Sequence, residues 1–385
     1  MESKKLNIVF ASHTFMGGPF VVGSHHLARE LSLKGHNVFH ISTPLTPFHL
    51  KNIKSDEIVR FRFKKYGIKP VHKVSANLKD ISYMTLFPWR IACGIYLKTE
   101  KNPTLFGLKS IKKKVEIENI DVLLIDQPAF VGIEKILNPK ITIYRSTDLS
   151  AEMTGDQRIN YLEKQILNKA NGIIGTSQPV IEHLTNLNSK LPYLLLENGV
   201  DFNHFKLKSN SNQKNDNEKK GTSIIYVGAL DERFDYDAIN YISEQEIDVK
   251  ISIIGPIDNN KKRKFKENNK IRILGAKDYK DIPKFLHDAD IAILPLSDHP
   301  SNDGRSPMKL YEYGAAGLPV IVRSTKELKR RDSKNIYLYD EIQEIPKIID
   351  IINSKNQNKL QISNGNIEYS WEKKAERLLE FLQKL

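Results

Sequence analysis

The sequence has few of the features that mark secreted, metal-stapled or membrane-spanning proteins. It contains one cysteine, Cys93, so it cannot form an internal disulfide, and no Cys/His group has zinc-ligand spacing. The most apolar stretch, 83–97, is interrupted by Pro88 and Arg90 and is shorter than the roughly 20 residues of a spanning helix. The apolar stretch 6–11 is too short for a secretory signal. We therefore expect a cytoplasmic protein with no disulfide, no structural metal and no spanning helix.

Composition predicts a folded protein with more than one domain. The chain has 385 residues, of which 40% are hydrophobic and 27% are charged. This length exceeds an ordinary domain of about 100 to 200 residues and predicts two, and the apolar fraction suffices for packed cores. The net charge of +13 attracts polyanions, anionic lipids and phosphorylated small molecules alike. Charge alone therefore does not identify the partner.

Alternating strand and helix patterns predict an α/β fold. Residues 7–11 form an apolar run, 22–33 have helical periodicity, and 37–41 form a second apolar run. Further strand-like runs follow at 121–125, 141–144 and 172–175. This alternation is typical of a parallel sheet covered by helices. The pattern restarts after a polar stretch, with near-continuous apolar runs typical of strands buried on both faces, at 223–228, 249–255, 271–275, 290–296 and 318–322.

These patterns divide the chain into four parts. We predict a first Rossmann-like, doubly wound domain over 1–205, a polar interdomain connection over 206–222, a second such domain over 223–368 and a final helix over 369–385. The final helix has its apolar residues at helical spacing and could pack back across the first domain. The two domains are expected to face a cleft.

The segment SPMKLYEYGAAGLPVIV, at 306–322, is the most informative part of the sequence. Its Ser-Pro start predicts a helix with Ser306 as N-cap and Pro307 as first residue, and a helix N-terminus presents unpaired N–H groups to a phosphate. Lys309 is unfavourable beside the positive end of the helix dipole unless an anion binds there. Glu312, at i+3 on the same side, could accept hydrogen bonds from ribose hydroxyls. The alternative is that Lys309 and Glu312 are ordinary surface or structural residues.

The same segment resembles the nucleotide-binding segment of glycosyltransferases with the GT-B fold. It is most similar to the branch of xanthan-type glucuronosyltransferases and teichuronic-acid glycosyltransferases, which have a similar S-P-x-K-x-Y-E-Y run and a turn like GALDERFD at 228–235. The segments at 173–184 and 194–201 extend the likeness over most of the chain. The resemblance implies that the second domain binds a nucleotide-sugar, UDP-linked, through Ser306, Pro307, Met308, Lys309, Glu312, Arg233 and Gly275.

One departure from the family pattern bears on the mechanism. Many retaining members have a pair of Glu residues at fixed spacing; Glu312 matches the second, but Gly304 stands in place of the first. The resemblance to the glucuronosyltransferase-like branch, which inverts, implies instead that a carboxylate of the first domain deprotonates the acceptor hydroxyl. Asp148, directly after a predicted strand, is the best match for such a base. An ordinary cap for the helix that follows is the alternative role for Asp148.

Residues after the first strand are candidates for acceptor binding. Gly17 and Gly18 follow that strand, where an α/β sheet opens toward its ligand, although a plain turn explains them equally well. His25 starts the next helix on the side expected to face the cleft. Asp288 and Asp290 resemble a metal-binding pair, but their place between a helix and a strand favours a structural role.

A basic segment precedes an aromatic one. Residues 51–73 hold eight Lys or Arg against two acidic residues. The aromatic residues that follow are Tyr83, Phe87, Trp89 and Tyr96. This combination suits a peripheral contact with an anionic membrane. It fits equally a solvated basic face beside a buried helix.

Together these features predict a hexosyl- or glycuronosyltransferase. It would move a sugar from a nucleotide-sugar to a glycan or lipid-linked acceptor, with inversion, in bacterial cell-surface polysaccharide synthesis at the inner face of the plasma membrane. No cofactor or metal is expected, because the helix dipole, Lys309 and Arg233 would neutralise the leaving diphosphate. The alternatives are a non-catalytic glycan- or nucleotide-binding relic of the fold and a basic nucleic-acid-binding protein, although no nucleic-acid-binding module is recognised.

Overall fold

The chain forms two compact units. The computed structural model describes residues 4–18, 21–54, 56–115, 117–207, 221–331, 334–355 and 358–385. Unit 1 comprises 1–197 and 374–385, and unit 2 comprises 198–373. Residues 198–205, assigned above to the first domain, are thus grouped with unit 2, and residues 208–220 of the predicted connection lie outside the described residues. The domain limits drawn from the sequence stay a prediction.

Unit 1 is built on an eight-stranded sheet with the order β3-β4-β2-β1-β5-β6-β7-β8. All neighbouring strands pair in parallel except β3 and β4, which are antiparallel. The strands are β1 Asn7–Ser12, β2 Asn37–Ser42, β3 Val71–Ser75, β4 Leu78–Ile81, β5 Val122–Ile125, β6 Ile141–Ser146, β7 Gly172–Gly175 and β8 Tyr193–Leu195.

Helices connect these strands. They are α1 Gly23–Leu33, α2 Glu57–Tyr66, α3 Trp89–Thr99, α4 Phe106–Val115, α5 Glu134–Leu137, α6 Ser150–Thr154, α7 Arg158–Leu167 and α8 Gln178–Leu187. Short 3₁₀ turns occur at Pro47–Asn52, Pro103–Leu105 and Pro128–Phe130. Among the described residues, no helix is long and apolar enough to cross a bilayer.

Unit 2 has a six-stranded, all-parallel sheet with the order β11-β10-β9-β12-β13-β14. Its strands are β9 Thr222–Val227, β10 Val249–Ile254, β11 Ile271–Gly275, β12 Ile291–Leu294, β13 Val320–Arg323 and β14 Ile336–Tyr339. Its helices are α9 Phe202–Phe205, α10 Tyr236–Glu244, α11 Asn259–Lys262, α12 Ile282–Asp288, α13 Met308–Ala315, α14 Lys326–Lys329, α15 Ile345–Ser354 and α16 Lys359–Gly365. A last helix, α17, spans Trp371–Leu382.

The predicted α/β architecture is confirmed, and so is the packing of the last helix on the first unit. The Lys374 ammonium contacts the Glu197 carboxylate at 3.1 Å, and Lys34 of α1 pairs with Glu376 at 3.0 Å. Each unit buries its own apolar core, because continuous apolar strands such as β5 and β12 are covered on both faces. Strands β3, β4, β8 and β14 were not predicted.

Glycines follow the strands at one edge of the unit 2 sheet. Parallel strands have their carboxyl ends at the same edge, where α/β proteins bind ligands. Gly228 follows β9, Gly255 follows β10 and Gly275 ends β11. The Gly255 N–H donates to Gly275 O (3.1 Å), and a Cβ on Gly255 would lie 1.9 Å from Gly228 O. Only a glycine at position 255 lets the ends of β9 and β10 approach so closely.

Gly255→Ala is therefore expected to lower the stability of unit 2. A methyl group cannot fit against a backbone oxygen, so the strand ends must separate, at about 1–3 kcal/mol or more. Calorimetric unfolding would measure the shift. The matched control is Gly94→Ala in α3, where an added Cβ meets open space within the described residues and alanine should stabilise the helix by roughly 0.5–1 kcal/mol. Equal effects of the two substitutions would contradict the packing argument.

Candidate functional site

Two loops at the carboxyl edge of unit 2 are joined by hydrogen bonds. The loop after β9, residues 228–235, precedes α10, and the loop after β12 leads to α13. Arg233 O accepts from the Ser297 N–H (2.9 Å) and from Asn302 Nδ2 (3.2 Å). The Ser297 hydroxyl donates to Glu232 O (2.7 Å). The GALDERFD turn and the segment that contains Gly304 are thus neighbours, as β9 and β12 are in the sheet.

The Arg233 guanidinium lies on this joined pair of loops and pairs with Asp231. Its Nε donates to Asp231 Oδ1 at 2.9 Å. Burial raises the pKa of Asp231, but the hydrogen bonds from Arg233 and the charges of Arg233 and Arg305 hold that pKa below its usual range. Asp231 and Arg305 were not singled out from the sequence, although both are close to predicted residues. The loops therefore carry two guanidinium groups around one carboxylate.

Helix α13 begins one residue later than predicted. Its N-cap is Pro307, and its first residue is Met308. Ser306 is not the cap, because its hydroxyl is committed elsewhere: it lies 2.9 Å from the Tyr311 hydroxyl and accepts from Arg331 Nη2 (3.0 Å) and from the Asn198 N–H (3.2 Å). Arg331 comes from beyond β13, so no local sequence pattern could have revealed this support.

Lys309 and Glu312 form an ion pair with each other. Lys309 Nζ lies 2.6 Å from Glu312 Oε2, and the side chains are 29% and 4% exposed. The unfavourable position of Lys309 in the first turn of α13 is thus compensated by Glu312, which weakens the argument that only an anion could explain it. The pair does lie at the carboxyl edge, beside the loop after β12. Lys309 is the more accessible member.

Small residues at the end of α13 allow close packing on α16. A Cβ on Gly314 would lie 2.4 Å from Asn366 Oδ1, and one on Gly317, whose φ is +80°, would lie 2.4 Å from Lys359 O. The small residues at the end of α13 are evident in the sequence, but their packing partner, α16, is not.

Asp290 accepts a hydrogen bond from the Ser223 N–H (3.0 Å), which agrees with a structural role for that residue.

In unit 1, the Gly17-Gly18 loop is anchored to a buried carboxylate. Gly17 has a φ of +76°. Met16 N donates to Asp80 Oδ2 (3.1 Å), and Met16 O accepts from Lys65 Nζ (2.6 Å). The Tyr66 hydroxyl donates to the same Asp80 oxygen. Asp80 was not predicted, because an Asp within a short strand has no distinctive local pattern.

A buried polar chain continues from Asp80 across the sheet. His40 Nδ1 lies 3.1 Å from Asp80 Oδ1, and His40 Nε2 lies 3.4 Å from Ser24 Oγ, which is 2.7 Å from Ser12 Oγ. The order Ser–His–Asp resembles that of a catalytic triad. Ser24, however, is 2% exposed, so a substrate cannot reach it, and the chain serves to hold the strand ends together.

His25 lies beneath the loop. Its Nε2 is 3.2 Å from both Thr14 Oγ1 and Thr14 O, and its ring packs edge-on against His40. Burial, followed by the charge of His40, lowers the pKa of His25 to about 3, so the ring is neutral near pH 7. A direct contact with an acceptor remains a prediction and would require the loop to move.

Asp148 lies at the carboxyl edge of unit 1, two residues after β6. The Thr147 hydroxyl donates to Asp148 Oδ2 (3.1 Å), and the Ser146 hydroxyl donates to Asp148 O (2.9 Å). The N-cap of α6 is Leu149, an apolar residue, rather than Asp148. Asp148 therefore precedes the N-cap position of this helix rather than occupying it.

Asp80→Asn is expected to destabilise unit 1 in a pH-dependent way. Burial raises the pKa of Asp80, but the hydrogen bond and charge of His40 and the hydrogen bond of Tyr66 hold it below its usual range. A depressed carboxyl pKa stabilises the fold above the unfolded pKa, about 3.9, and this stability is lost as the pH falls through the lower folded value. The difference in free energy of unfolding should therefore be about 3–5 kcal/mol near pH 7 and shrink in acid.

Denaturant unfolding of both proteins between pH 3 and pH 7 measures this difference. The matched control is Asp350→Asn, which removes an exposed carboxylate from α15 and should change little at any pH. A difference for Asp80→Asn that stays constant over this range would contradict the charge-based account.

Comparison with known proteins finds a family match that lies within unit 2. Residues 221–353 match the family model for Glycosyl transferases group 1. The chain is also 25% identical over 150 residues to the putative teichuronic acid biosynthesis glycosyltransferase TuaH of Bacillus subtilis. That alignment covers 38% of this chain and 38% of TuaH.

Solved structures match nearly the whole chain at low identity. Sucrose-phosphate synthase from Thermosynechococcus elongatus is 14% identical, with a TM-score of 0.72 over 99% of both chains. HepE from Anabaena, solved in complex with UDP, is 15% identical, with a TM-score of 0.68 over 99% of this chain and 100% of its own. HepE has also been solved with UDP-glucose. Residues 221–353 are thus similar to the group 1 glycosyltransferases, and the chain as a whole has the GT-B fold.

Proposed function

We propose that this protein transfers a sugar from a UDP-linked donor, held by unit 2, to a glycan or lipid-linked acceptor held by unit 1. The observation that carries the proposal is the match of residues 221–353 to the group 1 family, because this range contains the joined loops and helix α13. The likeness to TuaH favours a role in bacterial cell-surface polysaccharide synthesis. A lipid-linked acceptor would keep the enzyme in the cytoplasm at the inner face of the plasma membrane.

The geometry of unit 2 supports binding of a nucleoside diphosphate. The N-terminus of α13, Lys309 and Arg233 bring positive charge to the carboxyl edge, where a diphosphate would gain charge-assisted hydrogen bonds. HepE, which shares the fold, binds UDP and UDP-glucose in its crystals. In this proposal phosphate draws Lys309 away from Glu312, and the released carboxylate accepts from the ribose hydroxyls. Gly275 and the strand-end glycines leave room for the nucleoside.

Unit 1 supplies the proposed acceptor side. Gly17 and Gly18 belong to the loop that Asp80 anchors, and Asp148 lies at the same sheet edge. We propose Asp148 as general base for the acceptor hydroxyl. The inverting course expected from Gly304 gains no support from the group 1 match, since such enzymes typically transfer with retention. The product stereochemistry therefore decides the role of Asp148.

The two alternatives make different predictions. A non-catalytic relic would bind UDP or a glycan and transfer no sugar to any acceptor. A basic nucleic-acid-binding protein would bind DNA with a steep salt dependence and would not prefer UDP over other polyanions. A thermal-shift panel of nucleotide-sugars separates both from the proposal when it is combined with a transfer assay, because a specific ligand of the native state raises the melting temperature.

Lys309→Ala is expected to weaken binding of UDP far more than binding of uridine. The loss of a charge-assisted contact to phosphate typically costs about 1.5–3 kcal/mol, and uridine has no phosphate to lose. Isothermal titration calorimetry of both ligands measures the difference. Lys347→Ala, which removes an exposed lysine from α15, is the matched control and should change neither affinity.

Glu312→Gln provides the complementary control on the same ion pair. It should weaken binding of UDP and leave binding of a 2′,3′-dideoxyuridine diphosphate nearly unchanged, because the proposed carboxylate contact is to the ribose hydroxyls. Since each substitution also breaks the pair, the melting temperature of both unliganded variants should be recorded. Equal losses of UDP and uridine in Lys309→Ala would remove the diphosphate assignment.

Asp148→Asn is expected to separate donor binding from transfer. The substitution keeps the size of the side chain but removes the basic oxygen, so UDP affinity should survive while transfer falls by roughly 100-fold or more. Asp156→Asn, in the same unit but outside the proposed site, should leave transfer unchanged. NMR of the product gives the anomeric configuration. Retention, or a variant that keeps most of its transfer rate, would exclude Asp148 as the base.

A further inference from the structure

Unit 1 exposes large apolar side chains on two loops and a helix start. The loop after β2 carries Phe48 and Leu50, the loop after β4 carries Met84 and Leu86, and Phe106 begins α4. Leu86 is 74% exposed and Phe106 is 59% exposed. Single exposed apolar residues are common on protein surfaces, but a cluster marks an interaction site. We call these five residues the apolar rim.

Backbone contacts bring the members of the apolar rim together. Leu45 N donates to Tyr83 O (2.8 Å), and Thr85 N donates to Leu45 O (2.8 Å), so the two loops form a short ladder. On the other side, a Cβ on Gly107 would lie 2.5 Å from Met84 O. The start of α4 therefore packs directly on the loop after β4. The three segments that carry the apolar rim are therefore packed against one another in the same part of unit 1.

Exposed lysines flank the apolar rim. Lys51 and Lys54 follow Leu50, and Lys64 lies on α2, which packs against the turn at Pro47–Asn52. Lys51 Nζ lies 5.8 Å from the centroid of the Phe48 ring. The Asp56 carboxylate, by contrast, accepts from two N–H groups at the start of α2. Positive charge thus borders the apolar surface.

The structure changes which residues of the basic and aromatic segments can meet a partner. Arg62 Nη2 donates to Ser82 Oγ (2.9 Å), and Lys65 donates to Met16 O (2.6 Å), so both cations are committed inside the unit. Tyr83 and Tyr96 are buried in the core. The exposed apolar surface therefore consists of aliphatic side chains and phenylalanines, and not of the tyrosines expected from the sequence.

We propose that the apolar rim inserts into the headgroup region of an anionic bilayer, with the flanking lysines on the lipid phosphates. Apolar side chains bordered by lysines match the boundary between acyl chains and anionic headgroups. A polyanion such as nucleic acid would use the lysines alone and leave the apolar rim in water. The rim also lies at the same sheet edge as Gly17 and Asp148. If the proposed function holds, a lipid-linked acceptor would reach these residues directly from the membrane.

The test is co-flotation of the full chain with vesicles of phosphatidylcholine containing phosphatidylglycerol. The unsubstituted protein should float with anionic vesicles, and binding should weaken with salt, because the charge contribution is screened over about 10 Å at 0.1 M. Leu86→Ser combined with Phe106→Ser should reduce vesicle affinity at least tenfold. Lys51→Ser, Lys54→Ser and Lys64→Ser together should remove most of the salt dependence.

Leu33→Ser is the matched control, because Leu33 is 78% exposed but ends α1, at the opposite edge of the sheet. It should leave vesicle binding unchanged. The proposal is overturned if the unsubstituted protein fails to float at low salt, or if the Leu86/Phe106 variant floats as well as Leu33→Ser, which would indicate binding by charge alone. UDP affinity, measured without vesicles, tests the proposed function separately and should be equal in all of these variants.

Discussion

The carboxylate of Asp80 connects parts of unit 1 that are distant in sequence. It accepts from the Met16 N–H, pairs with His40 and is contacted by Tyr66 and Lys65. A buried carboxylate is costly unless charged and hydrogen-bonding partners surround it, so these partners hold each other in place. The loop after β1, the end of β2 and the orientation of α2 all depend on this one negative charge. The apolar rim, which borders α2, depends on it indirectly.

Unit 2 positions its loops by a different means. Its strand ends are held by close backbone packing at Gly228 and Gly255, and its two loops are joined by hydrogen bonds to the backbone carbonyl groups of Glu232 and Arg233. The charged side chains at this edge pair with one another, Arg233 with Asp231 on the loop after β9 and Lys309 with Glu312 on α13. These pairs are partly accessible to solvent, so a ligand can rearrange them without exposing a core. A closely packed backbone that carries ion pairs able to exchange partners is suited to reversible binding of an anion.

The sequence predicted the helices and strands that have a strong hydrophobic pattern, and it missed the features that depend on contacts between residues far apart in the sequence. The buried strands of unit 2 and helix α17 were found, because continuous apolar runs and helical spacing are local signals. Strands β3 and β4 were missed, since β3 is mostly exposed and both are short. In the site, Lys309 and Arg233 lie in motifs, whereas Arg331 and Asp80 act on residues 25 and 64 positions away. The prediction of Ser306 as N-cap was wrong for the same reason, because its hydroxyl is bound by Arg331 and Asn198 from other segments.

The position of α17 determines the order in which the units can be completed. Residues 374–385 belong to unit 1, where Lys374 and Arg377 contact Glu197, although the chain reaches them through unit 2. Domains generally fold as they emerge during synthesis, from the N-terminus onward. Unit 2 is one continuous segment and can form its sheet as soon as it is synthesised, whereas unit 1 receives α17 only after all of unit 2 has been made. The unit that is synthesised first is therefore the one that is finished last.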